Sequence, residues 1–137
     1  MTGSRYHVAH VSTAESVAVI QRAKARGLPV TCDTAPHYFT LNEHGVGDYR
    51  TFAKVSPPLR AESDRAAIAE AVADGTIDAI ASDHCPQDQD SKRLPFAAAE
   101  AGIVGLETLL PLSLAPVHRG DATLLGVLAQ LTHRPAD

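Results

Sequence analysis

The sequence predicts an α/β protein built on parallel strands, and three observations carry that expectation. Short apolar or β-branched runs alternate with segments patterned at helical spacing. The run Ile77-Asp78-Ala79-Ile80-Ala81 is apolar at nearly every position instead of alternating, as a strand covered on both faces reads. Only three such strands are visible, too few to close a barrel, and an open sheet of three would leave both edges bare. The pattern therefore reads as part of a larger α/β protein.

Tyr6 to Ser12 reads as the first strand, with Val8 and His10 on one face. Ser12 and Glu15 form a capping-box pattern, Val17 and Ile20 follow at helical spacing, and Gly27 ends the helix. Leu28 to Asp33 is again extended, and a β-α-β unit of this kind forces parallel pairing. Thr34 to Glu62 reads as one long loop in which Pro57-Pro58 excludes a central strand or a helix interior. Loops of that length inside an α/β unit are usually functional. Ser63 or Asp64 is expected to cap a second helix, with Ile68, Ala69 and Val72 inward and Gly75 at its end. The strand Ile77 to Ser82 follows. Gln87 to Arg93 reads as a charged loop, and Ile103 to His118 as mostly helical despite Pro111 and Pro116. Asp121 or Thr123 caps a last helix through Leu131.

A chain of 137 residues with a net charge of -4 carries no basic footprint for nucleic acid. No apolar run approaches the roughly 20 residues of a membrane span, and the first residues lack a signal-peptide core. Cys32 and Cys85 form no CxxC pair and read as reduced thiols, so a cytoplasmic protein is expected.

Chemistry is expected where the parallel strands end, because the loops there vary while the strands stay rigid. His10, the Asp33 to His37 stretch and Asp83-His84 stand at those places. Histidine and carboxylate converging there make a metal site, most simply for zinc. Water near such an ion is more acidic, and Asp83 suits the base that takes its proton. His10 suits a neutral imidazole ligand. The alternative for Asp83 is a turn that caps the following loop. His37 reads as a ligand, a substrate contact, an outer-shell group or a ring hydrogen-bonded within its proline turn. Lys54 and Arg60 flank the double proline, either holding an anionic substrate or solvated on the loop. His7 reads as structural, and His44, His118 and His133 carry no role.

The segments His10 to Val17, Gly27 to Asp33, Pro36-His37, Pro57-Pro58-Leu59-Arg60, Asp74 to His84 and Gly102 to Thr108 together resemble dihydroorotase of the cyclic amidohydrolase group. The resemblance runs in order over nearly the whole chain. It implies a partial (β/α)8 TIM barrel of the metal-dependent hydrolase type, strands six to eight plus the following helices. Residues 1–137 would then be the C-terminal portion of the barrel domain. It also implies a zinc centre that interconverts dihydroorotate and N-carbamoyl-L-aspartate in pyrimidine synthesis. Carried over by position, His10 matches a zinc-binding histidine, and Asp83 matches a residue that is both metal ligand and general base. Ser56 and Gln87 stand at substrate contacts that are usually Asn and His, and Ala101-Gly102 matches a loop whose backbone touches the substrate.

Ser56 before Pro-Pro-Leu-Arg and Cys85 after Asp-His also resemble hydantoinases or dihydropyrimidinases. The family's first-strand His-x-His, its central carboxylated lysine or aspartate and its fifth-strand histidine have no counterpart here. Lys24, Lys54 and Lys92 do not stand at strand ends. A fragment inactive and poorly soluble by itself is therefore expected, with the other ligands for one or two zinc ions upstream. A homodimer, or a non-catalytic subunit supporting aspartate carbamoyltransferase, is the alternative partner arrangement.

Overall fold

In a computed structural model, which describes residues 3–136, three strands form one parallel sheet. They are β1 (Tyr6–Val8), β2 (Val30–Thr34) and β3 (Ala79–Ile80), in the order β1-β2-β3. The register pairs Val8 with Cys32 and Thr34 with Ile80, so the carboxyl ends of all three strands open on one edge. The crossovers are α1 (Ala14–Ala25) and α3 (Glu62–Ala73), which pack on each other. The expected α/β class is the one observed. The outermost ends of the expected 1–137 unit lie outside the described residues.

The strands are shorter than the apolar runs suggested. β1 stops at Val8 because the His10 backbone turns into the left-handed region at φ 55°, so Val8 and His10 do not share a strand face. β3 comprises Ala79 and Ile80 instead of Ile77 to Ser82, although sheet hydrogen bonds continue from Ala81 N–H to Thr34 O at 2.9 Å. A further parallel bridge joins His84 to Ile103.

Helix starts also differ from the expectation. Thr13, not Ser12, is the N-cap of α1, its side chain accepting from Ser16 N–H at 3.2 Å. Asp64 does not cap its own helix. Its carboxylate accepts from Ala14 N–H at 2.8 Å and so caps the neighbouring α1, whereas α3 begins after Ala61 without a side-chain cap. Both contacts place negative charge or a side-chain acceptor at the positive end of a helix.

Short helices interrupt two stretches that read as loops. α2 (Pro36–Thr40) begins with proline at its first turn, where the missing N–H costs nothing, and buries Tyr38 and Phe39. α4 (Gln89–Lys92) is capped by Asp88. α5 (Leu106–Ser113) accommodates Pro111, α6 (Ala115–Arg119) follows, and Thr123 caps α7 (Leu124–Leu131) as expected. No helix among the described residues is long and apolar enough to cross a membrane.

Ile20, Ile68, Val72, Ile77 and Val127 make the centre of the core between sheet and helices. Each contributes about 1.5–3 kcal/mol by leaving water. A buried polar side chain packs beside it: Gln130, 1% exposed, donates from Nε2 to Val72 O at 2.9 Å and to Ile77 O at 2.8 Å. These carbonyls flank the turn between α3 and β3, so Gln130 ties α7 to the crossover. Replacing Gln130 by Met keeps the volume but leaves both carbonyls without this donor. We expect a loss of about 1–3 kcal/mol, read as a lower midpoint in denaturant unfolding of the complete protein.

Candidate active site

His10, His37 and Asp83 follow β1, β2 and β3 respectively. The parallel register therefore gathers them at one end of the sheet. His37 Nε2 lies 3.4 Å from Asp83 Oδ2. Two of the three, His10 and Asp83, have left-handed backbones, at φ 55° and φ 45°. Such a conformation costs a non-glycine residue on the order of 1–3 kcal/mol and concentrates at functional sites.

The His10 turn is held by Asp33 at the end of β2. Asp33 Oδ1 accepts from His10 N–H at 2.8 Å, and Oδ2 pairs with His7 Nε2 at 2.8 Å, whose Nδ1 meets Thr31 Oγ1 at 2.7 Å. His10 Nδ1 faces the same carboxylate at 3.4 Å without making a hydrogen bond. A carboxylate behind an imidazole is the usual device for orienting a metal-binding histidine, leaving the other ring nitrogen for the ion. His7 has the structural place expected of it, as the partner of Asp33.

His10 Nδ1 and His37 Nε2 are buried nitrogens without a hydrogen-bond partner. Burial holds the His37 imidazole below its ordinary value, against an opposing pull from Asp83 and with some help from His10. Neutral imidazole is the form that can donate a lone pair to a metal, so the donor chemistry here fits zinc. No group of three or more His, Cys, Asp or Glu side chains placed to hold a metal occurs among the described residues.

The residues expected at substrate contacts fall in two places. Ser56 is exposed on the double-proline turn, and Tyr38 pins that turn by donating from its hydroxyl to Pro57 O at 2.9 Å. Gln87 donates from Nε2 to Ala101 O at 3.2 Å, and Gly102 N–H donates to Lys54 O at 2.8 Å. The two places are thus joined through the main chain of Lys54. Gln87, Lys92 and Gly102 are among the walls of a cleft of about 280 Å³.

Asp83 and His84 part company. Asp83 turns toward His37, whereas His84 Nδ1 accepts from Gly105 N–H at 3.0 Å and Leu106 N–H at 3.2 Å and so caps α5. A Cβ on Gly105 would stand 2.3 Å from Ser82 O, and one on Gly102 2.2 Å from Cys85 O. The loop lies too close to the chain after β3 for any side chain at either position. Lys54 fits neither role considered for it. Its half-exposed ammonium is engaged by three main-chain carbonyls, to which it donates. Arg60 remains exposed.

A dihydroorotase of Wolbachia sp. subsp. Drosophila simulans is 53% identical over 137 residues, 100% of this chain and 31% of that protein. Curated relatives of this chain are named dihydroorotase. A second, from Geobacter sulfurreducens, is 53% identical over 135 residues, 98% of this chain and 32% of that protein. The resemblance to dihydroorotase seen in the motifs therefore extends along the chain, which spans about a third of the length of these curated relatives. Among solved structures, L-hydantoinase (dihydropyrimidinase) from Arthrobacter aurescens matches with a TM-score of 0.90 at 30% identity, over 98% of this chain and 31% of that one. A D-hydantoinase matches at 0.87 and 28% identity, over the same shares. No protein-family model matches.

A neutral His37 has a consequence for stability. Its folded-state value is depressed, so the unfolded chain binds the proton more readily. The contribution is complete above the unfolded value of 6.5 and is lost as pH falls from there toward the lower folded value. We expect the thermal midpoint of the complete protein to fall below pH 6.5 and His37→Gln to flatten that part of the profile. An equal slope in the variant would show that His37 is not held neutral.

Proposed function

We propose that this chain supplies strands six to eight of a (β/α)8 barrel in a dihydroorotase-type cyclic amide hydrolase, and that it acts only within the complete barrel. On this reading residues 1–137 are the C-terminal portion of the barrel domain. The observation that carries it is the placing of His10, His37 and Asp83 at adjacent parallel strand ends, with left-handed turns at the two positions that the resemblance assigns to metal and base. The reaction is the reversible opening of dihydroorotate to N-carbamoyl-L-aspartate, a step of pyrimidine synthesis in the cytoplasm.

Zinc, when bound, supplies Lewis acidity toward water and the amide carbonyl. His10 donates to it through the nitrogen turned away from Asp33, Asp83 is the second ligand, and the remaining ligands come from the rest of the barrel. Asp83 takes a proton as water adds to the carbonyl carbon. It returns that proton to the ring nitrogen as the C–N bond breaks, so no net proton is gained by the protein. His37 stands 3.4 Å from the Asp83 carboxylate and bounds it on that side. Ser56, Gln87 and the main chain of Ala101 and Gly102 form the substrate wall.

A second reading, a hydantoinase or dihydropyrimidinase specificity, is favoured by Ser56 before Pro57-Pro58 and by the fold matches. The higher identity to dihydroorotases favours the first. The test is metal content and turnover of the protein made from its complete reading frame. We expect zinc near stoichiometry and dihydroorotate hydrolysis that falls by at least about a hundredfold in Asp83→Asn. Turnover of dihydrouracil or hydantoin in place of dihydroorotate would establish the second reading. A folded protein with neither metal nor turnover would overturn both and leave a structural partner of aspartate carbamoyltransferase.

A further inference from the structure

Two lysines that the proposed chemistry does not use are bonded almost entirely to main-chain carbonyls. Lys54 Nζ donates to Phe96 O at 2.8 Å, Ala97 O at 3.2 Å and Ala99 O at 2.6 Å, and lies 5.5 Å from the Phe96 ring centroid. Lys92 is 3% exposed, and its Nζ donates to Thr51 O at 3.0 Å and Glu100 O at 2.8 Å. Thr51 Oγ1 returns a bond to Lys92 O. Among the described residues neither ammonium has a carboxylate partner at ion-pair distance.

That arrangement is costly as a way of merely filling space. A buried ammonium without a counter-ion is disfavoured, and burial together with the nearby Lys54 lowers the proton affinity of Lys92. An ammonium has three donors on a compact point charge and can gather several carbonyl dipoles at once, which no apolar side chain can do. Here four of the gathered carbonyls belong to one short loop stretch, Phe96, Ala97, Ala99 and Glu100. The next two residues are Ala101 and Gly102. Lys54 holds these from a second side, its own carbonyl accepting the Gly102 N–H.

We propose that Lys54 and Lys92 are positioning residues, whose two ammonium groups fold the 96–100 carbonyls inward and so set the Ala101–Gly102 main chain against the substrate cleft. The link to substrate rests on the reading in which Ala101 and Gly102 form the wall of the site, but the holding of the loop does not.

The test uses the complete protein with Lys54→Met, Lys54→Arg and Lys92→Met. Amide hydrogen exchange across residues 96–102 should rise about tenfold or more in either methionine variant, with exchange in α1 and α3 unchanged. KM for dihydroorotate should rise by about fivefold or more while kcat stays within about twofold, and Lys54→Arg should recover most of the loss. Should the buried Lys92→Met fail to fold, the half-exposed Lys54 variants decide alone. Unchanged loop exchange would overturn the proposal. So would faster loop exchange with unchanged KM, or a parallel fall of kcat and global stability. If the unmodified protein does not turn over dihydroorotate, the functional reading fails, and the exchange data still decide whether the lysines hold the loop.

Discussion

Asp33 stands next to the end of the central strand, and both of its carboxylate oxygens are taken by the neighbouring edge. One receives the His10 N–H and the other the His7 ring. The chain leaving β1 is thereby forced to turn sharply enough to set His10 beside the segments that follow β2 and β3. Without an acceptor at this point the His10 N–H would be an unmet donor in a strained turn, and relaxation into an ordinary extended conformation would move the imidazole from its place near His37. A single carboxylate joins the sheet to the turn at its end.

The remaining walls depend on close main-chain approach. Gly102 and Gly105 let the loop before α5 lie against the carbonyls of Cys85 and Ser82, and His84 closes the contact by accepting two N–H groups at the start of that helix. Tyr38 fixes the double-proline turn to α2, and burial raises its phenol far above the usual range, so it stays a hydrogen-bond donor at any ordinary pH. The main chain beside the cleft is thus held through carbonyls and amides whose places are set by a few side chains behind them.

Much of this was legible in the sequence, and what was missed has common physical causes. The placement of His10 and Asp83 beyond their strands could be read because each follows an apolar run. The strands themselves were drawn too long, since apolar residues continue beyond the last ladder bonds and nothing in composition marks a left-handed turn at histidine or aspartate. Asp64 looked like the cap of its own helix because capping patterns are local, whereas its real partner is fifty positions earlier. The positioning by Asp33 was hidden for the same reason, its contacts crossing from one strand to the next. Lys54 and Lys92 were the least legible: their partners are backbone carbonyls, which every sequence contains and no motif records.

The left-handed backbone at His10 and Asp83 also limits how these two positions can drift. Glycine, asparagine, aspartate and histidine enter that conformation most readily, while β-branched residues are excluded by their own Cβ substituents. The set tolerated by the backbone overlaps the set able to bind a metal or carry a proton. Random substitution at either position is therefore filtered first by shape, before any demand of chemistry is felt. Were the proposed chemistry lost in a relative, the expected scars would be asparagine and glycine, with valine or isoleucine appearing only where the turn itself has been rebuilt.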